Sequence, residues 1–249
     1  MVFKKKLLAL LCVHVFLFSC SNSNNIAPVQ NELELLNTFS ILVSEPSGLA
    51  INTDNSALYT VSDNSNKIYK LSMSGAILKT FSFVGNDLEG VSQFTDGKLL
   101  IAEERNKSII EFEISSENFI THNIEYNNKE ANSGIEGVTY NSNTSSIYIL
   151  NEKDPGILMK LNSNFTIEST NELTFANDYS GIFYDKELNV LWIVSDKSKT
   201  LNKCKLNGEL LKEYAIPVTK AEGVVVANNK IYIVSDSTEK LYTFKKPEN

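Results

Sequence analysis

The sequence predicts an all-β fold: a β-propeller of five four-stranded blades, with six blades as the alternative, closed by an N-terminal strand. The first observation behind this prediction is a glycine motif that recurs five times at intervals of 42 to 47 residues, the period of a propeller blade. The second is a β-branched strand ending in an acid, which follows every copy. The third is that no helical periodicity persists beyond the N-terminal segment. The motif glycines are Gly48, Gly90, Gly137, Gly181 and Gly223.

Each glycine lies near the start of a first strand, between a small or acidic residue and an apolar run. Asn, Asp and Gly residues, which tolerate left-handed turn geometry, separate that strand from the second. The second strands cover residues 58–63, 99–104, 147–152, 191–196 and 231–236. A third strand begins five residues after each closing acid, and a further turn leads into a fourth strand such as 76–83. An unrelated β-sandwich would leave this fivefold register unexplained.

The fifth repeat ends at Phe244, after its third strand, whereas an unpaired strand-like segment, 35–43, precedes the first repeat. We therefore expect the N-terminal segment to supply the missing outer strand of the last blade. This pairing removes the open sheet edges that an unclosed ring would expose. The predicted propeller domain covers residues 35–246.

The N-terminus has the features of a bacterial lipoprotein signal. A basic head, residues 1–6, precedes an apolar run, 7–18, which is too short to span a membrane. The run ends in Leu17-Phe18-Ser19-Cys20, which resembles a lipobox, so residues 1–20 are predicted to be a signal peptide with Cys20 as the acylated residue. Cys12 competes for this role, but Leu11 before it is not small. In the alternative, a plain secreted protein, Cys20 is incidental.

Residues 21–34 are polar and rich in asparagine at their start, which predicts a flexible tether. Acyl chains such as palmitate on Cys20 would make membrane lipid the first partner and place the domain, lipid-anchored, at the bacterial cell envelope. The sequence is compatible with anchoring in either the outer membrane or the plasma membrane. A periplasm-facing position is favoured because no acidic run follows Ser21.

The composition excludes several classes of function. Net charge is −7, and it becomes −10 when Lys4, Lys5 and Lys6 leave with the signal, so nucleic acid is not expected as a partner. Beyond the signal, His122 is the one histidine, which excludes a three-histidine zinc site. Cys204 is the one cysteine, so no internal disulfide is possible. We expect a monomer.

The repeat places its acids on one face. In a four-stranded meander the first strand begins on the face where the second ends, so the residue before each motif glycine lies near the acid that closes the second strand. Glu89, Glu136 and Glu222 precede glycines, with Ser47 and Ser180 at the equivalent positions of the other two blades. The closing acids are Asp63, Glu104, Glu152, Asp196 and Asp236.

Carboxylates that converge on one axis repel each other, which either raises some of their pKa values or recruits a cation, and oxygen ligands suit calcium. The predicted metal ligands are Glu89, Glu136, Glu222, Asp63 and Glu104. The predicted ligand-binding residues are Arg105, Glu152, Asp196 and Asp236. In the competing interpretation, the closing acids only accept hydrogen bonds from amides of the turn that follows. We interpret His122 as a surface residue, Cys204 as a buried small hydrophobe and Trp192 as packing between blades.

These motifs resemble those of the SdiA-regulated (YjiK-like) propeller family. The resemblance is strongest from Glu45 to Glu113, in the segments EPSGLA, LYTVSDNSNKIYKL, DLEGVS and LLIAEERNKSIIEF. It implies an exported or membrane-associated propeller with a calcium site, chiefly at Glu89, Glu136 and Glu222. Because serine replaces acid in two blades, the resemblance does not imply a complete acidic ring.

The preferred functional hypothesis is a non-catalytic, calcium-associated lipoprotein that binds an envelope protein or a small ligand. The alternative is a calcium-dependent hydrolase, a lactonase or phosphoesterase, in which a carboxylate such as Glu89 or Glu136 acts as base. A third hypothesis is a scaffold without any ion.

Overall fold

The computed structural model describes residues 31–126 and 134–248. The predicted signal peptide, Cys20 and most of the tether lie outside this part of the chain. Twenty strands form five sheets of four antiparallel strands each, arranged in a ring. The prediction of a five-bladed propeller is confirmed. Within the described residues, no helix is present that could cross a membrane.

Four blades each use four consecutive strands, and the fifth combines the two ends of the chain. Blade one contains β2 (Pro46–Ile51), β3 (Ala57–Ser62), β4 (Lys67–Ser72) and β5 (Ile77–Val84). Blade two contains β6 (Leu88–Gln93), β7 (Lys98–Glu103), β8 (Ser108–Glu113) and β9 (Phe119–Asn123). Blade three contains β10 (Ile135–Asn141), β11 (Ser146–Asn151), β12 (Ile157–Leu161) and β13 (Ile167–Glu172).

Blade four contains β14 (Gly181–Asp185), β15 (Val190–Ser195), β16 (Thr200–Cys204) and β17 (Leu210–Ala215). Blade five contains β18 (Ala221–Ala227), β19 (Lys230–Ser235), β20 (Lys240–Lys245) and β1 (Leu35–Ser40). The innermost strands β2, β6, β10, β14 and β18 contact their neighbours around the axis.

The N-terminal strand closes the ring as predicted. β1 pairs antiparallel with β20, from Leu35 opposite Phe244 to Ser40 opposite Lys240. The residues just before β1 are also fixed, because Leu33 is buried and its amide donates to the carbonyl of Ala215 in blade four. The end of the predicted tether is therefore bound to the outside of the propeller.

The core consists of apolar layers between neighbouring blades. Second strands are buried on both faces, which explains their near-continuous runs of Leu, Ile and Val. Trp192 packs in the layer between blades four and five, as expected, and its indole nitrogen donates to Asp185. Tyr59 and Tyr148 also lie in layers between blades.

The motif glycines allow the inner strands to meet at the axis. A Cβ atom on Gly223 would lie 2.4 Å from the backbone of Gly48, and one on Gly181 would lie 2.3 Å from the carbonyl oxygen of Glu222. The central space between the glycines measures about 10 Å³, room for roughly one water molecule. This constriction at the motif glycines separates a polar cavity on one face of the propeller from a wider cavity of about 570 Å³ on the other face.

Candidate functional site

The face on which the first strands begin, here called the acidic face, contains an axial cavity of about 180 Å³. Eight acidic residues and two lysines line this cavity, so acidic side chains outnumber basic ones. The lining residues are Ser47, Asp63, Glu89, Glu136, Glu152, Asp178, Ser180, Asp196, Lys197, Lys220, Glu222 and Asp236. The predicted site residues Glu89, Glu136 and Glu222 thus meet at one cavity with four of the five closing acids.

Two glutamates at the start of inner strands are held away from water. Burial raises the pKa of Glu89 well above its ordinary value, an effect that a hydrogen bond from Ser47 opposes and the charge of Asp63 reinforces. Burial likewise raises the pKa of Glu136 well above its ordinary value, and Glu89 and Glu104 add to the shift. Ionisation of the Glu89 and Glu136 carboxyl groups is therefore unfavourable unless a cation compensates the charge.

Two further acids in the cavity behave in the same way. Burial raises the pKa of Glu222 to about 8, although Lys220 opposes the change. Burial, followed by the charge of Asp87, raises the pKa of Asp63 to about 6. A divalent cation would offset the repulsion that produces these shifts.

One group of carboxylates lies close enough to share an ion. Oxygen atoms of Asp63, Asp87 and Glu89 lie within 4.8 Å of one another. Two oxygens on one calcium ion are at most about 5 Å apart, because each lies 2.3 to 2.6 Å from the metal. Asp87 is 7% exposed, and its Oδ2 atom accepts no hydrogen bond. The geometry of this group, here called the Asp87 cluster, fits a calcium ion.

Asp87 was not among the residues predicted from the sequence. It lies two residues before Glu89, in the loop between blades, with a positive φ of 59°. The equivalent positions in the other four blades hold Glu45, Gly134, Asp178 and Lys220, so a charged residue recurs in all blades but the third. An acid or lysine two residues before the glutamate or serine of the glycine motif is a signal that could have indicated this position.

Arg105 approaches the same cluster from outside. Its Nε atom lies 2.8 Å from Oδ2 of Asp87 and forms an ion pair with it, and the arginine side chain is 72% exposed. The predicted ligand-binding residue therefore neutralises part of the charge of the Asp87 cluster and remains accessible to solvent.

The residue that precedes each closing acid bonds to the loop that follows the second strand. Hydroxyls of Ser62, Ser195 and Ser235 accept the amide hydrogen bonds of the turns that follow. Glu103 and Asn151 bond to the equivalent loops of blades two and three. Turn formation thus uses the penultimate polar residue, and it does not require the closing acid.

The closing acids differ in their contacts. Glu104 accepts from the amide of Gly134, and Asp196 accepts from the amide of Lys220, so each of these two carboxylates links its blade to the next. Glu152 has ion pairs with Lys153 and Lys197. Asp63 and Asp236 line the cavity. Glu104 is the predicted metal ligand that does not line it.

Residues predicted to be structural have ordinary surroundings. His122 is half-buried and not a fully solvated surface residue: its ring stacks on Phe165 of blade three at 3.6 Å, and its buried Nε2 atom lies 3.5 Å from Glu111. Cys204 is buried, and burial raises the pKa of its thiol to about 12, which disfavours the reactive thiolate.

The ring of five four-stranded blades and the acidic cavity at its axis define a β-propeller with a candidate cation site. A family model described as SdiA-regulated matches residues 24–245. The chain belongs to the SdiA-regulated family.

Solved structures share the architecture at low identity. A virginiamycin B lyase from Staphylococcus aureus matches with a TM-score of 0.52 and 16% identity, over 81% of this chain and 66% of the lyase chain, just under two thirds of its length. A gluconolactonase from Xanthomonas campestris matches with a TM-score of 0.58 and 9% identity, over 87% of this chain and 95% of that one. Likeness at this identity establishes the propeller fold alone.

Proposed function

We propose that this chain is a lipid-anchored propeller of the bacterial cell envelope that binds calcium on its acidic face and uses that face to bind a ligand or a protein. The observation that carries the calcium part is the Asp87 cluster, where three carboxylates lie within 4.8 Å of one another and have one nearby cation among the described contacts, the exposed guanidinium of Arg105. Calcium prefers six to eight oxygen ligands. Three carboxylates leave positions that water or oxygens of a bound partner would fill.

The first experiment is calorimetric titration of calcium into the unlipidated chain beginning at Ser21, after treatment with a chelator. Asp87→Asn removes a charge from the cluster and changes little in shape, so we expect it to abolish saturable binding. Asp96→Asn is the matched control, because Asp96 is exposed on the opposite face. The absence of heat at millimolar calcium, or unchanged binding by a folded Asp87→Asn variant, would refute the proposal.

The lipid anchor is tested separately at Cys20. Metabolic labelling with an alkyne analogue of palmitate should tag the natural chain in the membrane fraction. Cys20→Ser should lose the label, whereas Cys12→Ser should retain it, since Cys12 lies inside the segment to be cleaved. A label that persists in Cys20→Ser would exclude this residue as the acceptor.

A calcium-dependent hydrolase is the second candidate. The observation that favours it is Glu136, which lines the axial cavity. Burial raises the pKa of its carboxyl well above the ordinary value. Such a group can deliver a proton to a leaving oxygen near neutral pH. Because one solved structure with the propeller fold is a gluconolactonase, lactones are the first class of substrate to test.

Turnover measurements distinguish the two candidates. A hydrolase should open lactones in the presence of calcium, and Glu136→Gln should abolish turnover in a protein that still binds the ion. A binding module should show no turnover of any lactone, carboxyl ester or phosphoester tested. Sustained lactone hydrolysis by the natural chain would overturn the non-catalytic proposal.

A further inference from the structure

Exposed apolar side chains recur at one position of the repeat. Of ten large hydrophobic residues exposed among those the structure describes, eight are the first two residues of an outer strand. We call these eight the basal girdle. Its members are Leu35, Leu36, Ile77, Leu78, Phe119, Ile120, Leu210 and Leu211.

Strand register places each girdle pair at the same end of its outer strand. Each outer strand begins opposite the end of the third strand, as in the pairs of Leu71 with Ile77 and of Phe112 with Phe119. Third strands run from the acidic face to the opposite, basal face, so every girdle pair lies at the basal perimeter. Blade three departs from the pattern with Ile167, which is half-buried, and the following Glu168, which pairs with Lys160.

The shape of the girdle matches a broad flat surface. Four apolar pairs are distributed around the perimeter on separate blades, whereas a typical protein interface needs about 800 Å² of continuous surface from each partner. Burial of single apolar side chains at the level of lipid headgroups, by contrast, does not require them to be contiguous.

The rest of the chain indicates which flat surface this is. The apolar run 7–18 and Cys20 precede the described residues, and the chain enters the structure at Asn31, whose carbonyl accepts a hydrogen bond from the amide of Ala215 at the end of β17. The axial cavity concentrates negative charge on the opposite face, where anionic headgroups would repel it. The predicted anchor makes a lipid surface available to this chain, and the charge of the opposite face favours contact through the girdle.

We infer that the basal girdle rests on a lipid bilayer, so that the acidic face is directed away from the membrane. The inference adds an orientation to the proposed anchor and rests on it for its setting. It also places the 570 Å³ basal cavity at the lipid side of the molecule.

The test measures co-sedimentation of the unlipidated chain from Ser21 with phosphatidylcholine vesicles. This chain retains every strand of the closed ring. A fourfold variant, Phe119→Ser, Ile120→Ser, Leu210→Ser and Leu211→Ser, should lower the vesicle partition coefficient by about tenfold or more, since binding scales with buried apolar area. The matched control is Leu42→Ser with Val84→Ser, which removes the two large exposed hydrophobic side chains that lie outside the girdle in the described part of the chain.

The inference requires that the natural sequence binds the vesicles, that the girdle variant loses vesicle binding and that the control variant retains it. Absence of vesicle binding by the folded natural sequence overturns it, as does equal loss in the control. Dimers that the girdle variant abolishes, without vesicle binding, would assign the girdle to a second copy. Failure of acylation at Cys20 would refute the anchor and leave vesicle binding unchanged, so the two proposals fail separately.

Discussion

The hydroxyl of Ser47 donates a 2.5 Å hydrogen bond to Oε2 of Glu89, across the junction between blades one and two. Ser47 holds in its own blade the position that Glu89 holds in the next. Serine at this position therefore provides a donor to the neighbouring carboxyl and avoids another charge at a crowded axis. Ser180 holds the same position in blade four and also adds no charge there, but its hydroxyl accepts a bond from the amide of Asp196.

Loss of this donor should weaken the protein. Ser47→Ala is expected to lower the free energy of unfolding by about 1 kcal/mol, because a buried carboxyl loses a hydrogen bond. Urea denaturation followed by circular dichroism measures the change. Ser180→Ala is the matched control with a smaller expected effect, since the Ser180 hydroxyl accepts only a 3.4 Å bond from the amide of Asp196. Equal losses in the two variants would contradict this assignment.

Without calcium, the free energy of unfolding should fall as pH rises from 4.5, the ordinary glutamate value, to about 8. Burial raises the pKa of Glu222 to about 8 and that of Asp63 to about 6, so the folded state holds protons that the unfolded chain has released. This stabilisation is complete at low pH and is lost as pH passes the raised values.

Urea denaturation at a series of pH values, in the presence of a chelator, measures the slope. Glu222→Gln should flatten it, whereas Glu172→Gln, on an exposed position of β13, should not. A free energy of unfolding that increases across the same interval would show that the cavity acids are not protonated in the folded state.

Removal of Arg105 should strengthen calcium binding. Its guanidinium lies 2.8 Å from Oδ2 of Asp87 and repels a cation at the Asp87 cluster. Arg105→Gln is therefore expected to raise calcium affinity about fivefold, the equivalent of roughly 1 kcal/mol for an exposed charge. Calorimetry at fixed ionic strength measures the affinity, with Lys199→Gln in the corresponding turn of blade four as control. A lower affinity in Arg105→Gln would indicate that the arginine supports the site.

The axial glycines should tolerate no side chain. Gly181→Ala places a Cβ atom 2.3 Å from the backbone oxygen of Glu222, so we expect a loss of about 3 kcal/mol or failure to fold. Gly97→Ala meets no atom within 4 Å and carries only the cost of its positive φ, about 1 kcal/mol. Thermal melting of both variants gives the comparison. Comparable stability of the two would mean that the inner strands can separate.

The repeat made the fold predictable because each blade places the same residue types at the same strand positions. The join between Leu35 and Phe244 followed from counting strands in the last repeat. The cavity was predictable to the extent that topology brings Glu89 near Asp63. Asp87 was missed because it belongs to a loop, where strand alternation gives no direction for a side chain.

Loop geometry also determines which residue accepts the amide hydrogen bonds of the turn after each second strand. The sequence shows Ser-Asp at the end of three second strands, and either residue can accept the amide bonds of the next turn. The structure assigns those bonds to Ser62, Ser195 and Ser235. Alternation along a strand could not separate two adjacent polar residues at its end.

The pairing of β1 with β20 makes completion of the ring depend on the whole chain. A ribosome produces β1 first and its partner last, so the N-terminal strand stays unmatched until residue 245 has been added. Blades one to four can assemble from consecutive strands in the meantime. A product shortened before β20 retains an uncovered sheet edge, which is a site for aggregation or degradation. The seam between the two termini therefore distinguishes full-length molecules from incomplete ones.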